Sequence, residues 1–170
     1  MAFAHRYFFR LFFAAFLPAF MFSQPIYADE NDIQQITESN VAELTSQVAD
    51  DYYNQLESLV TFYKLYQQKR DPRGFNVWHL RGFTPNYSAQ SSYYQTLLAS
   101  APAEIENAKA AIDAFNAVGT IASQLMIAFR DNNVDAYANA ASLVETNNEL
   151  IASLLAEYGN EDAVREISLN

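Results

Sequence analysis

Apolar side chains recur at helical spacing over a long stretch in the first half of the chain. Their mean step lies between 3.5 and 3.6 residues, which keeps them on one face of an α-helix. The stripe consists of Val41, Leu44, Val48, Tyr52, Leu56, Leu59, Tyr63 and Tyr66. Asp71-Pro72 ends it, because a residue before proline is pushed out of the α region. We therefore predict a very long N-terminal helix over residues 32–70, with a break near Ser39-Asn40 as the alternative.

Two further helical stripes follow in the second half of the chain. The first comprises Ile105, Ala108, Ile112, Phe115, Gly119, Ala122, Leu125 and Phe129, and the second comprises Val134, Tyr137, Ala141, Val144, Asn148, Ile151, Leu155 and Tyr158. Only Asp131-Asn132-Asn133 separates them, and so short a connection places two helices antiparallel. Shorter helices are predicted over residues 88–99 and 161–168. The sequence thus predicts an all-α fold, an antiparallel four-helix bundle.

Residues 1–28 differ from the rest of the chain. They contain Arg6 and Arg10 but no acidic residue, and an apolar run of 12 residues at positions 11–22 precedes a polar stretch ending in Ala28. This layout is typical of a secretory signal peptide, whereas a membrane-spanning helix needs about 20 apolar residues. We expect cleavage after Ala28, no stable membrane anchor afterwards, and a single helical-bundle domain at residues 29–170 in a periplasmic or secreted protein.

Charge and cysteine content narrow the class of partner. The chain carries a net charge of −10; removing residues 1–28 takes away two of the ten basic residues and none of the twenty acidic ones, which leaves −12. Such a chain is repelled by phosphate backbones, so we expect no nucleic-acid partner. The chain has no cysteine, which excludes disulfides, thiolate metal sites and a lipid attached to cysteine.

The segment 70–87 is compositionally unusual. With the residues just before it, it gathers Lys64, Lys69, Arg70, Arg73 and Arg81, five of the eight basic residues that follow position 28, and it holds the only tryptophan. We predict an aromatic and basic crossover loop whose candidate binding residues are Arg73, Trp78, His79, Arg81 and Phe83, since tryptophan and arginine are frequent in interface hot spots. The alternative is a cap that covers the end of the bundle by burying Phe75, Val77, Trp78, Leu80 and Phe83.

Catalytic and metal-binding patterns are weak in this sequence. His79 has no second histidine after residue 28 to pair with, so we expect no metal centre, no haem and no other cofactor. We find no phosphate loop and no nucleophile elbow, and the acid pairs Asp50/Asp51 and Glu104/Glu106 fit a solvated face.

The function that best fits these features is binding of another protein, as an inhibitor, immunity protein, adaptor or chaperone, without catalysis. One alternative is a small-ligand carrier with a tyrosine-lined cleft, since tyrosines recur in the predicted helix seams. A weaker alternative is a cell-wall hydrolase that uses His79 or Glu57. Homo-oligomerisation through the long stripes stays open.

Overall fold

The computed structural model describes residues 35–101 and 105–169, and 83% of these residues are helical while none forms a strand. This confirms the all-α prediction for the described part of the chain. The predicted signal peptide, the first residues of the predicted N-terminal helix and Pro102 lie outside the described residues.

Helix α1 (Val41–Lys69) is shorter than the sequence predicted. The predicted helix over 32–70 is corrected at its start, where Asn40 holds a turn: its Oδ1 accepts a hydrogen bond from the Thr37 N–H at 2.8 Å, and its Nδ2 donates to the Gln35 carbonyl at 2.9 Å. These local bonds compete with helix formation, as is usual for asparagine. The 29 residues of α1 span about 44 Å at the usual helical rise.

The predicted crossover loop over 70–87 is wrong, because this segment is helical. Helix α2 (Pro72–Trp78), a π-helical segment (His79–Phe83) and helix α3 (Thr84–Ala99) follow one another without a break. The Asp71 carboxylate accepts the Gly74 N–H at 2.8 Å and caps α2, while Pro72 occupies a first-turn position where its missing N–H does no harm.

The π-helical segment has a local cause. Pro85 has no N–H to donate to the carbonyl four residues earlier, and its ring needs room there. In the wider turn, the Thr84 N–H and the Thr84 hydroxyl both bond to the His79 carbonyl, the hydroxyl at 2.8 Å. One extra residue in a helical turn is a frequent way to absorb such a conflict.

Helices α4 (Glu106–Asp131) and α5 (Val134–Glu157) agree with the predicted stripes. Asn132 adopts the left-handed conformation that ends α4, and Asn133 accepts the Ala136 N–H at 2.9 Å to cap α5. Helix α4 packs against α1, α2, α3 and α5. By length and composition alone α4 could cross a membrane, but ten of its side chains are buried against the other helices.

The predicted last helix over 161–168 is also wrong. A single 3-10 turn (Glu161–Ala163) is followed by extended chain from Val164, which runs along α1 and α5 to Leu169. Side chains of those two helices hold this extended chain, so its conformation is set by distant residues and not by local helix propensity.

Candidate functional site

The inner side of the 72–87 stretch carries a continuous ladder of aromatic rings, which are stacked at three of its four steps and tilted by 41° between Trp78 and Phe83. From α1 to α4 the ladder is Phe62, Trp78, Phe83, Tyr87 and Phe115, with ring-centroid distances of 4.3, 5.9, 5.5 and 5.6 Å. Aromatic pairs at such distances add to the stabilisation from burial. The ladder therefore fixes the crossover helices firmly against the two long helices on either side.

Two glycines make room for the large rings of the ladder. A Cβ on Gly82 would lie 3.0 Å from Cδ1 of Trp78, and a Cβ on Gly119 would lie 2.6 Å from the Tyr87 hydroxyl oxygen. That hydroxyl donates to the Asn116 carbonyl at 2.8 Å. Glycine at these positions lets each ring lie directly on helix backbone.

His79 lies beside the ladder and not in a chemical cluster. Its ring stacks on Phe83 at 5.6 Å, and its buried Nδ1 has no hydrogen-bond partner among the described residues. Burial lowers the pKa of His79, so the ring is neutral at pH 7. Within residues 35–101 and 105–169, no three metal-ligating side chains come together, and the other hydrolase candidate, Glu57, is exposed on α1.

The outer side of the same stretch carries a small apolar and basic surface. Val77 is 51% exposed and Leu80 is 56% exposed, and Arg73 and Arg81 flank them at helical spacing. Neither arginine forms a hydrogen bond or ion pair with a described residue. We call these four residues, Arg73, Val77, Leu80 and Arg81, the crossover surface.

Positive charge is concentrated around the crossover surface. Five basic residues occur between positions 64 and 81, and the single acidic residue in that interval, Asp71, is engaged in capping α2. Lys69 additionally lies over the Tyr66 ring, 5.6 Å from its centroid. The crossover surface is therefore a local basic region on a chain whose overall charge is strongly negative.

The structure divides the five predicted binding residues between two sides of the crossover. Trp78, His79 and Phe83 lie together on the inner side, where Phe83 is buried and the other two are half-buried. Arg73 and Arg81 lie on the outer side. Sequence reasoning did not single out Val77 and Leu80 as surface residues, although a helical reading of positions 73, 77, 80 and 81 places them on one face.

The tyrosines of the helix seams are mostly packed inside the protein. Tyr52 donates to Asn148 Oδ1 at 2.9 Å, and Tyr94 donates to Asp51 Oδ2 at 2.5 Å. Burial raises the pKa of the Asp51 carboxyl above its usual value. Burial likewise raises the pKa of Tyr63 to about 12. Tyr63 and Tyr137 also line an open cleft of about 270 Å³ where α4 meets α5.

Comparison with protein-family models, with curated proteins and with solved structures found no match to this chain. Its function must therefore be inferred from the geometry of its own side chains. Among the described residues, the crossover surface combines exposed apolar side chains with arginines that have no partner there.

Proposed function

We propose that this chain is an exported protein that acts by binding another protein through the crossover surface. The observation that carries this proposal is the exposure of Val77 and Leu80 between Arg73 and Arg81, on a helical stretch fixed by the aromatic ladder. The partner should present an apolar contact bordered by aspartate or glutamate, because that chemistry complements the four side chains.

A rigid platform favours binding at this surface. Association is weakened when loops and long side chains must be ordered, and a preformed helix avoids much of that loss. Arginine is enriched among the residues that dominate interface energies, and its planar guanidinium can bind a carboxylate through two parallel hydrogen bonds. Each of Arg73 and Arg81 is available for such a bond, since neither is engaged by a described side chain.

The charge distribution adds directionality to this proposal. The chain as a whole repels acidic partners, whereas the region around the crossover surface attracts them. An acidic partner is therefore guided to this one region, and its association should slow as salt is added.

We infer that four long helical stretches form an antiparallel bundle. They are α1, the continuous stretch over residues 72–99, α4 and α5. In support, Asn107 at the start of α4 donates to the Tyr158 hydroxyl just after α5 at 3.0 Å, while the two-residue connection joins the opposite ends of these helices.

We further propose that residues 1–28 are removed on export to the periplasm or the medium. N-terminal sequencing of the exported protein would then begin at Asp29.

Site-specific photo-crosslinking in the producing cells tests the binding proposal. A photoreactive amino acid at position 77 or 80 should give a discrete adduct with one partner. The matched control is position 134, because Val134 is an apolar residue that is 75% exposed and lies on α5, outside the crossover surface. Arg73→Glu combined with Arg81→Glu should reduce the adduct at position 77 at least tenfold. The reason is that losing a hot-spot arginine costs on the order of 1 kcal/mol or more of binding free energy.

Two results would contradict the proposal. One is an adduct pattern at positions 77 and 80 that equals the pattern at position 134. The other is an adduct at position 77 that is unaffected by both charge reversals while circular dichroism shows that the variant is folded.

A further inference from the structure

The extended segment 164–169 lies in a groove between α1 and α5 and is held there through its backbone. Three successive carbonyls accept hydrogen bonds from side chains of the two helices. Asn148 Nδ2 donates to Ile167 at 2.8 Å, Lys64 Nζ donates to Ser168 at 3.2 Å, and the Tyr137 hydroxyl donates to Leu169 at 3.2 Å. We call residues 164–169 the docked segment. Contacts of this kind recognise an extended chain whatever its side chains are.

Apolar positions of the docked segment alternate along its length. Leu169 is only 6% exposed and belongs to the core, and Ile167 packs against that core, whereas Glu166 and Ser168 are exposed. This period of two is that of extended chain, in which every second side chain points to the same side. The groove therefore selects an aliphatic residue, any residue, and a second aliphatic residue.

The first part of the docked segment is anchored by charge. Arg165 donates to Asp50 Oδ1 at 3.0 Å and to Asn54 Oδ1 at 2.8 Å, and its guanidinium lies 5.6 Å from the centre of the Tyr53 ring. A basic residue two positions before the first aliphatic one is thus part of the recognised pattern.

Glu166 is poorly matched to its surroundings. It lines an open cavity of about 390 Å³ together with Glu145 and Glu149 of α5, so three exposed acidic residues border the same cavity. Like charges placed close together oppose one another. A segment with lysine or arginine in place of Glu166 would turn this repulsion into attraction while keeping every backbone contact.

We propose that the groove between α1 and α5 is a binding site for an extended segment of a partner protein. The pattern it fits is a basic residue, a second basic residue, an aliphatic residue, any residue and a second aliphatic residue. The docked segment occupies the groove as a displaceable occupant that competes with the partner. This site is separate from the crossover surface, so either proposal can fail without the other.

The docked segment competes with an external peptide because it is covalently attached to the protein that forms the groove. A segment joined to its own site by a short linker is present at an effective concentration in the millimolar range. It therefore lowers the apparent affinity of the groove for an external peptide of similar intrinsic affinity. The mismatch at Glu166 lowers the affinity of the docked segment. A partner with a basic residue at that position therefore gains an advantage that depends on Glu145 and Glu149.

Fluorescence anisotropy with two labelled peptides and the purified full chain tests the proposal. One peptide has the sequence of residues 163–169, and the other carries Glu166→Lys. In the chain variant Leu169→Asp, the docked segment is released because its buried anchor becomes charged. This variant should bind the Glu166→Lys peptide at least tenfold more tightly than the wild-type chain does. The matched control is Val164→Asp, since Val164 is 41% exposed, and this variant should behave like the wild-type chain.

The comparison of the two peptides tests the charge argument. On the Leu169→Asp chain, the Glu166→Lys peptide should bind about threefold to tenfold more tightly than the native peptide. This preference should disappear in a chain that also carries Glu145→Gln and Glu149→Gln. If Leu169→Asp prevents folding, as judged by circular dichroism, Arg165→Ala takes its place. This variant removes the contacts of the docked segment with Asp50 and Asn54 and leaves the groove itself unchanged. The expected gain over the wild-type chain is then about threefold.

Three outcomes would overturn the proposal. The first is that neither peptide binds the folded variant. The second is that release of the docked segment leaves peptide affinity at the wild-type level. The third is that the native and Glu166→Lys peptides bind equally well, which would remove the reason for a partner to displace the docked segment.

Discussion

The contact between Tyr87 and Gly119 gives a stability prediction whose sign depends on the background. Gly119→Ala adds one methyl group to α4 at the place where the Tyr87 ring crosses it. The new Cβ would lie 2.6 Å from the Tyr87 hydroxyl oxygen and 2.8 Å from Cε1 and Cζ of the same ring. Real Cβ atoms do not approach other atoms so closely, so the ring must move.

Three effects set the size of the change. Alanine is favoured over glycine inside a helix by about 1 kcal/mol. Displacing a packed ring costs about 1 to 3 kcal/mol, and losing the bond from the Tyr87 hydroxyl to the Asn116 carbonyl costs about 1 kcal/mol more. The ring has little freedom to escape, because it stacks on both Phe83 and Phe115. We therefore expect Gly119→Ala to lower the free energy of unfolding by about 1 to 3 kcal/mol.

A double-mutant cycle isolates this contact. In a chain that already carries Tyr87→Ala, the space over Gly119 is open, and Gly119→Ala should raise the free energy of unfolding by up to about 1 kcal/mol. Both values come from urea unfolding followed by circular dichroism at 222 nm, with unchanged slopes as the check on two-state behaviour. The reasoning is refuted if Gly119→Ala stabilises the wild-type chain, or if the effect has the same sign and size in both backgrounds.

Two further predictions concern pH. Burial lowers the pKa of His79, so below pH 6.5 the unfolded chain binds a proton at this site more readily than the folded chain, and stability should fall as the pH drops from 6.5 toward the lower folded value. His79→Phe should remove this loss in urea titrations between pH 7 and 5, and an NMR midpoint of the His79 ring at or above 6.5 would contradict the prediction. Burial raises the pKa of Asp51, so the folded chain holds this proton more tightly and stability should decrease as the pH rises from 3.8 through the higher folded value. Asp51→Asn should therefore stabilise the chain at pH 7 and lose that advantage below pH 3.8, whereas a net destabilisation at pH 7 would show that the bond from Tyr94 to the carboxylate outweighs the effect of burial.

The three long helices α1, α4 and α5 were predictable because each buries apolar side chains on one face. Val48, Leu56 and Leu59 of α1, for example, are all fully buried, as the spacing of the apolar stripe requires. The predicted start of the N-terminal helix at residue 32 was wrong, and the structure has the alternative, a break near Ser39-Asn40. Asn40 bonds to the backbone of Thr37 and Gln35 and holds a turn there.

The crossover was mistaken for a loop because of its prolines and glycines. Pro72 occupies the first turn of α2, where proline is tolerated. Pro85 lies within a continuous helical stretch and is accommodated by the π-helical turn before it. Gly82 serves contact with Trp78 and not a turn. A helical stripe is nevertheless present, since Phe75, Trp78, His79, Gly82 and Phe83 follow steps of three and one. The π-helical segment could not be predicted, because its extra residue depends on two local features. Pro85 has no N–H to donate, and Thr84 bonds to the carbonyl of His79, five residues earlier.

The sequence indicated the segment on which the candidate site lies, but not which of its residues face the core and which face outward. Aromatic and basic residues at positions 70–87 marked the segment as distinct in composition, and the candidate site lies on it. Which of them face outward depends on the helical turn of about 100° per residue and on where α1 and α4 lie. Val77 and Leu80 were assigned to a cap by their hydrophobicity alone, whereas both are more than half exposed in the structure while Phe75 and Phe83 are buried.

The contacts between the end of the described chain and α1 have a consequence for the order of folding. Arg165 bonds to Asp50, 115 residues earlier, and Asn160 bonds to Ser46 across a separation of 114 residues. A ribosome adds about 5 to 20 residues per second, so on the order of ten seconds pass between synthesis of α1 and synthesis of the residues that cover its flank. Contacts of such long range slow folding compared with helical proteins built from neighbouring hairpins. Helix α1, the first helix of the described residues, thus waits longest for the residues that complete its packing.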